Sequence, residues 1–265
     1  MPMTDDTRLA FARDGAVVIR GAFADWIDTL RDGVAQNERE PGPYFRNYSP
    51  GREQGRFFGD YANWQRIAPF RRFVEQGPAA AVARTLMGSR GARIFHEHVL
   101  VKEAGAERVT PWHHDEPYYC VSAAQSVSLW IPLDPVPRET CVEFVAGSHR
   151  WGKLFRPRKF SGVDYDHDSA RLEAMPDIDG NRAAYTILGW DLEPGDAIAF
   201  DFHTVHGAPG NASSQRSRRV VSWRWLGDEA VYVERGGETS PPYPELAATL
   251  RHGDPLPESL FPLIG

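Results

Sequence analysis

Cysteine is scarce. The chain has two, Cys120 and Cys141, among 265 residues, too few for a disulfide framework and in keeping with a reducing cytoplasm. No stretch approaches 18 consecutive apolar residues, so no membrane-spanning helix is expected. Positive charge is not in excess: 30 Lys and Arg against 36 Asp and Glu give a net charge of −6 and a pI near 5.9. That balance argues against general nucleic-acid binding, which needs a basic footprint. The opening residues, Met1-Pro2-Met3-Thr4-Asp5-Asp6, lack a basic stretch and an apolar run. No signal peptide is therefore expected, and the expected location is cytoplasmic. Internal repeats, low-complexity tracts and Gly/Ser-rich linkers are also missing.

What remains is ordinary for a folded protein, with 42% hydrophobic and 25% charged residues. At about 150 residues per domain the length fits one large domain or two small ones. It suffices to bury a core without staples. Aromatic residues reach 12%, including 8 Trp and 14 Phe, which points to a lined cavity as well as a core.

The first third reads as helical. Residues 5–12 form a short helix, and Ala16–Arg20 a β-branched strand after the turn at Asp14-Gly15. Ala24–Gln36 places Trp26, Ile27, Leu30 and Val34 at helical spacing. Residues 39–55 read as loop, and Pro69–Met87 as one more helical stretch. From Gly91 the pattern changes to short β-like runs: Arg93–Val101, Gln125–Leu133, Cys141–Phe144, Tyr185–Leu188, Ala197–His203 and Arg218–Trp225. Helices followed by many short strands predict a mainly β fold, a sandwich or barrel with helices outside. The gap from Trp151 to Ala184 is long enough for a lid or a disordered loop.

Nine histidines are present. In Trp112-His113-His114-Asp115, His113 and Asp115 are two apart, so on a strand both face one way. An imidazole and a carboxylate on one face make two thirds of the facial triad that binds non-haem Fe(II). A solvated strand end supplies the same pair by chance. The second histidine would be His206, before Gly207, or His203; a regular strand points only one of them inward. Arg218 opens a strand on which Arg218, Ser222 and Arg224 share one face, and Arg219, Val221, Trp223 and Trp225 the other. An inward arginine needs an anion to meet.

These pieces, taken in order, resemble the phytanoyl-CoA dioxygenase family of Fe(II)/2-oxoglutarate-dependent oxygenases. The matching segments are Thr110–Asp115 with Tyr118-Tyr119 behind it, Ser128–Leu133, Glu143–Arg150, Pro194-Gly195-Asp196, His206–Asn211 and Arg218–Ser222. Phe11–Val18 looks like the family's opening helix and strand. The resemblance implies one domain, a double-stranded β-helix (jelly roll) over about 91–230. Helices over about 1–90 would pack on it, and 151–184 would be a lid-like insertion. It further implies His113, Asp115 and His206 as iron ligands and Arg218 at the distal carboxylate of 2-oxoglutarate. The implied reaction consumes O2, releases succinate and CO2, and hydroxylates a C–H bond of a small metabolite. Halogenating relatives replace the carboxylate ligand with a small residue, so Asp115 favours hydroxylation, although desaturation and epoxidation use the same oxidant.

Two positions depart from the family pattern. His114 stands where Gln is common and Ala208 where Ser is common. Beside the cosubstrate the expected residues are Trp130, Lys102 and His114. On the substrate side they are Tyr118, Tyr119, His98 and Arg224. His96 is a candidate for the same wall or for the core, and His149 and His203 read as structural. Lys153, Arg156, Arg158 and Lys159 among Phe155 and Phe160, followed by Asp164, Asp166 and Asp168, read either as a cationic lip for an anionic substrate or as a solvated loop. No membrane or nucleic-acid partner is expected, and the chain would be a monomer or homodimer. Two other readings stand beside the oxygenase: an inactive jelly-roll binding module, and a cupin-type metalloenzyme that needs no Arg218.

Overall fold

A computed structural model describes residues 3–51, 55–122, 124–158, 172–211, 213 and 215–265. In chain order, helix α1 (Asp5–Asp14) leads into strand β1 (Ala16–Ile19), then helix α2 (Ile27–Arg39) and strands β2 (Arg46–Asn47) and β3 (Phe57–Tyr61). Helices α3 (Ala68–Gln76) and α4 (Ala79–Met87) precede strands β4 (Ala92–Lys102), β5 (Thr110–His113) and β6 (Ser126–Pro132). Strands β7 (Glu143–Val145), β8 (Ile187–Leu188), β9 (Ala197–Phe200), β10 (His206–Ala208) and β11 (Arg218–Leu226) follow. Helix α5 (Pro244–Thr249) and strand β12 (Leu263–Ile264) come last.

The strands form two antiparallel sheets. The larger runs β1-β9-β6-β11-β4-β3-β2, with β12 also on β4; the smaller runs β5-β10-β7-β8. This is the mainly β, cupin-like jelly roll with flanking helices that the resemblance implies. Residue alternation on β11 decides which side meets what. Val221, Trp223 and Trp225 pack against Phe70 and Phe73 of α3 and against α2 and α4. Trp223 lies 4.8 Å from the Phe73 ring and edge-on to Phe70 at 5.5 Å. Helices α2 and α3 approach so closely that a Cβ at Gly33 would fall 2.2 Å from the Phe70 ring. The opposite face of β11 turns inward, where Val220, Trp130, Phe144, Ile198 and Phe200 join the two sheets.

Three local expectations are corrected. The single helical stretch 69–87 is two helices, broken at Gly77-Pro78: Gly77 is extended (ψ 170°), as a residue preceding proline prefers. The loop 39–55 contains β2, which pairs with β3; the run Phe57–Tyr61 forms a strand that its aromatic content could have announced. The stretch Ala24–Gln36 opens as a 3-10 turn over Ala24–Trp26 before α2 begins. Lys159, Phe160, Asp164, Asp166 and Asp168, and most of the lid reading, lie outside the described residues. Among the described residues no helix is long and apolar enough to cross a membrane.

Candidate active site

Antiparallel pairing explains how residues 93 positions apart meet. Strand β10 pairs with β5 so that His206 lies directly across from His113, their ring centroids 4.2 Å apart. Asp115 follows the end of β5, its N–H donating to Phe202 O at 2.8 Å. One ligand atom from each of His113, Asp115 and His206 falls within 4.8 Å of the others. Asp115 Oδ1 is 3.8 Å from His113 Nε2 and 3.9 Å from His206 Nε2.

The surroundings fix the chemistry of each donor. His113 Nδ1 is 2.8 Å from Pro111 O, and His206 Nδ1 is 2.9 Å from Thr204 O. Each carbonyl takes the Nδ1 proton and leaves the Nε2 lone pair facing the other donors, the tautomer that a metal ligand needs. Burial pushes His113 below the ordinary imidazole range. Burial, then the neighbouring His113, brings His206 down to about 3. Both rings are therefore neutral at pH 7. For Asp115, burial is the largest influence and works against the charged form, but Arg224, His206 and His113 outweigh it and hold the carboxyl below its usual range. Ser128 Oγ donates to Asp115 Oδ2 at 3.3 Å, and Arg224 Nε lies 3.6 Å from the same oxygen.

The triad opens on a cavity of about 360 Å3, a size suited to small ligands. Lys102 and Arg218, opposite each other on β4 and β11, line it at 2% and 6% exposure. Neither meets a carboxylate among the described residues. Lys102 Nζ donates to Pro209 O at 2.9 Å, while Arg218 donates to Thr140 O and to Pro209 O. Burial, helped by the charge on Arg218, brings Lys102 down to about 6, and burial brings Arg218 down to about 10. A buried guanidinium answered by carbonyls, with a lysine opposite that an arriving carboxylate would protonate, makes a receptor for an anion.

The cavity gathers most of the other sequence-derived candidates. Trp130, Tyr118, Tyr119, His96, His98 and Arg224 all line it. Arg224 faces inward as alternation predicts, but its guanidinium is engaged by Asp115, Tyr119 OH and Ser222 O. His114 does not join them. Neighbouring residues on an extended segment point to opposite sides, so its ring turns away from the cavity toward Phe155, whose N–H donates to His114 Nε2 at 3.0 Å. His203 pairs with Asp201 at 3.1 Å, so His206 alone of the two faces the triad. His149 Nε2 contacts Ala12 O at 3.2 Å, tying α1 to the smaller sheet. Of the basic lip, Lys153 pairs with Glu173 at 2.8 Å, and Arg158 reaches the cavity mouth. The motifs gave no sign of Arg46, Asn47 and Tyr48 or of Glu238 and Ser240, which also line the mouth. They come from the two-residue strand β2 with the residue after it and from the C-terminal segment, both too short or irregular to carry a periodic pattern.

A model of the phytanoyl-CoA dioxygenase (PhyH) family matches residues 11–220. The chain belongs to this family. Solved structures share the fold over nearly the whole chain. The non-heme α-ketoglutarate-dependent carbocyclase SnoK from nogalamycin biosynthesis is 23% identical, with 100% of this chain and 97% of that chain covered and a TM-score of 0.76. The epimerase SnoN, solved with Fe3+, α-ketoglutarate and nogalamycin RO, is 24% identical, with coverage of 98% and 97% and a TM-score of 0.75. EctD from S. alaskensis, solved with 2-oxoglutarate and 5-hydroxyectoine, is 20% identical, with coverage of 96% and 86% and a TM-score of 0.67. A comparison with curated proteins finds no match.

Proposed function

We propose that this chain is an Fe(II)- and 2-oxoglutarate-dependent oxygenase that hydroxylates an unactivated C–H bond of a small molecule, releasing succinate and CO2. The observation that carries the reading is one cavity lined by two groups of residues. It holds a two-histidine, one-carboxylate donor set together with buried Arg218 and Lys102, neither of which meets a carboxylate among the described residues. That donor set suits non-haem Fe(II), and the cation pair suits the far carboxylate of a dicarboxylic cosubstrate.

When bound, iron and 2-oxoglutarate would supply the oxidising chemistry, O2 reduction coupled to decarboxylation. The chain's own residues bind and orient. His113 and His206 would offer Nε2 because their Nδ1 protons are held by Pro111 O and Thr204 O. Ser128 and Arg224 hold Asp115 Oδ2, so that Oδ1 is the oxygen facing the imidazoles. Arg218 would fork onto the distal carboxylate with Lys102 beside it, and Trp130 would wall that end against water. Retention of Asp115 favours hydroxylation over halogenation. The intact donor set and Arg218 together favour the oxygenase over a binding module or a cupin that dispenses with 2-oxoglutarate.

The test is anaerobic addition of Fe(II) and 2-oxoglutarate to the apoprotein, followed by oxygen. A visible metal-to-ligand charge-transfer band, then oxygen-dependent succinate, are the expected results, and both vanish in Asp115→Ala and His206→Ala. Neither band nor succinate in the wild type would end this reading. A product 16 mass units heavier than its substrate marks oxygen insertion, which NMR assigns to a new alcohol or to an epoxide; one 2 units lighter marks desaturation.

A further inference from the structure

One wall of the cavity is not accounted for by iron or cosubstrate. His96 and His98 on β4 and Ser222 on β11 share the inward face of neighbouring strands, with Ser222 directly across from His98. His96 is 2% exposed and Ser222 1%. His96 Nδ1, His98 Nε2 and Ser222 Oγ are buried without a hydrogen-bond partner among the described residues. Native interiors leave few polar atoms in that condition, because each forfeits its bonds to water. Three on one cavity wall call for a partner that enters from the cavity.

Charge separates this wall from the cosubstrate end. Arg218 is a buried cation that meets no carboxylate among the described residues, and Lys102 beside it becomes one when an anion arrives. Arg224, beside the histidines, already meets Asp115, Tyr119 OH and Ser222 O. Burial holds His96 well below the imidazole range, and burial followed by Arg224 brings His98 down to about 3. Each neutral ring carries one donor and one acceptor, and a serine hydroxyl can act as either. A charged group placed here would lose its water and find no free counter-charge. A hydroxyl or carbonyl oxygen would be matched. The rings are also held in place. Tyr61 packs edge-on to His96 and His98 at 6.2 and 5.3 Å. A Cβ at Gly59 would fall 2.9 Å from His98 Nε2, so the ring lies close against β3. Charged residues at the mouth, Arg46, Arg158 and Glu238, are exposed and of both signs.

We propose that His96, His98 and Ser222 form the substrate-recognition wall, and that they take an uncharged hydroxyl or carbonyl group on a small carbon framework rather than a carboxylate, phosphate or ammonium. The inference rests on the oxygenase reading for what lies beside this wall, and it replaces the anionic substrate suggested by the basic lip.

The test uses the full chain, 15N-labelled at histidine and loaded with Zn(II) and 2-oxoglutarate so that the anion end is filled. Cyclohexanol and cyclohexanone are the uncharged probes; cyclohexanecarboxylate and cyclohexylamine are charged probes of similar size. The uncharged pair is expected to shift the His96 and His98 ring signals at millimolar concentration, and the charged pair to bind at least about tenfold more weakly. Ser222→Ala and His98→Phe should each weaken cyclohexanol binding about fivefold or more. Equal or tighter binding of a charged probe, no shift with either uncharged probe, or undiminished binding in both variants overturns the proposal. Retention of 2-oxoglutarate is read in the same samples. Its loss from the wild type counts against the oxygenase reading, whereas its retention with inert uncharged probes counts against the recognition wall alone.

Discussion

Replacing Arg218 with alanine should uncouple cosubstrate affinity from fold stability. In the wild type Arg218 is 6% exposed, and among the described residues its donors reach only the carbonyls of Thr140 and Pro209. Bound 2-oxoglutarate would give it a carboxylate. Breaking a buried, hydrogen-bonded charge pair by truncating one partner costs about 2–5 kcal/mol. Lys102 remains opposite on β4 and gains a proton as the carboxylate arrives, which favours the lower part of that range. A loss of about 2–3.5 kcal/mol corresponds to a roughly 30- to 400-fold weaker Kd. The apoprotein should not lose comparable stability, because the substitution also removes a buried cation that lacks a counter-charge. Anaerobic titration of the charge-transfer band with 2-oxoglutarate gives the affinity, and urea unfolding of the apo form gives the stability. An affinity within threefold of wild type would show that Arg218 does not hold the cosubstrate. A large stability loss with unchanged affinity would make it a packing residue.

Lys102 predicts a pH effect on the same equilibrium. Its pKa near 6 leaves it neutral at pH 7.5 without cosubstrate, and an arriving carboxylate favours the charged form. Binding should therefore take up a proton, and Kd should rise with pH above about 6, by up to about tenfold per unit, until the raised pKa of the bound state is passed. Calorimetry in buffers of different ionisation enthalpy detects the proton, and Lys102→Met should abolish it. Glu97 is buried, accepts from Asn63 N at 2.7 Å and Trp64 N at 3.0 Å, and is pushed up to about 8 by burial. The folded state thus holds a proton that the unfolded state releases near pH 4.5, so this group's contribution to stability falls as pH rises through 4.5 to 8. Glu97→Gln should gain stability relative to wild type across that window; a difference that stays flat with pH would refute it. Phe73→Ala should cost about 3–5 kcal/mol, because the ring packs on Phe23, Trp26 and Trp223. The metal affinity of the folded fraction should stay unchanged, and a matched loss of metal binding would contradict the separation of core from site.

What could be read from the chain alone was whatever strand alternation and short spacing encode. The two faces of β11 follow from parity. The short His113 to Asp115 spacing brings both donors together, although Asp115 lies past the end of β5 with helical backbone (φ −74°, ψ −33°) rather than on the strand. The choice of His206 over His203 was not decidable that way. It depends on β10 pairing with β5 and on Asp201 capturing His203, both long-range or side-chain facts. His114 was misplaced because its family counterpart suggested a cosubstrate contact while its own parity pointed elsewhere. The mouth residues Arg46–Tyr48, Glu238 and Ser240 leave no sign in the sequence because a two-residue strand and an irregular segment carry no period. The split at Gly77-Pro78 was visible in principle, since proline lacks the N–H that a continuous helix needs.

The segment after β11 has a consequence for how such a protein diversifies. Arg235 clamps the turn that follows Asp115, bonding Glu116 Oε1 at 2.6 Å, Tyr119 O at 2.7 Å and Val121 O at 3.1 Å. A few residues on, Ser240 N–H donates to Tyr118 O at 2.8 Å, and Ser240 itself lines the mouth. This tail follows the residues, 11–220, that the family model matches. The two sheets hold the metal donors, while the C-terminal tail shapes the entrance. Exchanging tails between relatives should therefore trade the molecules admitted and leave the oxidising centre in place, a division of labour that lets one scaffold acquire new clients without relearning its reaction.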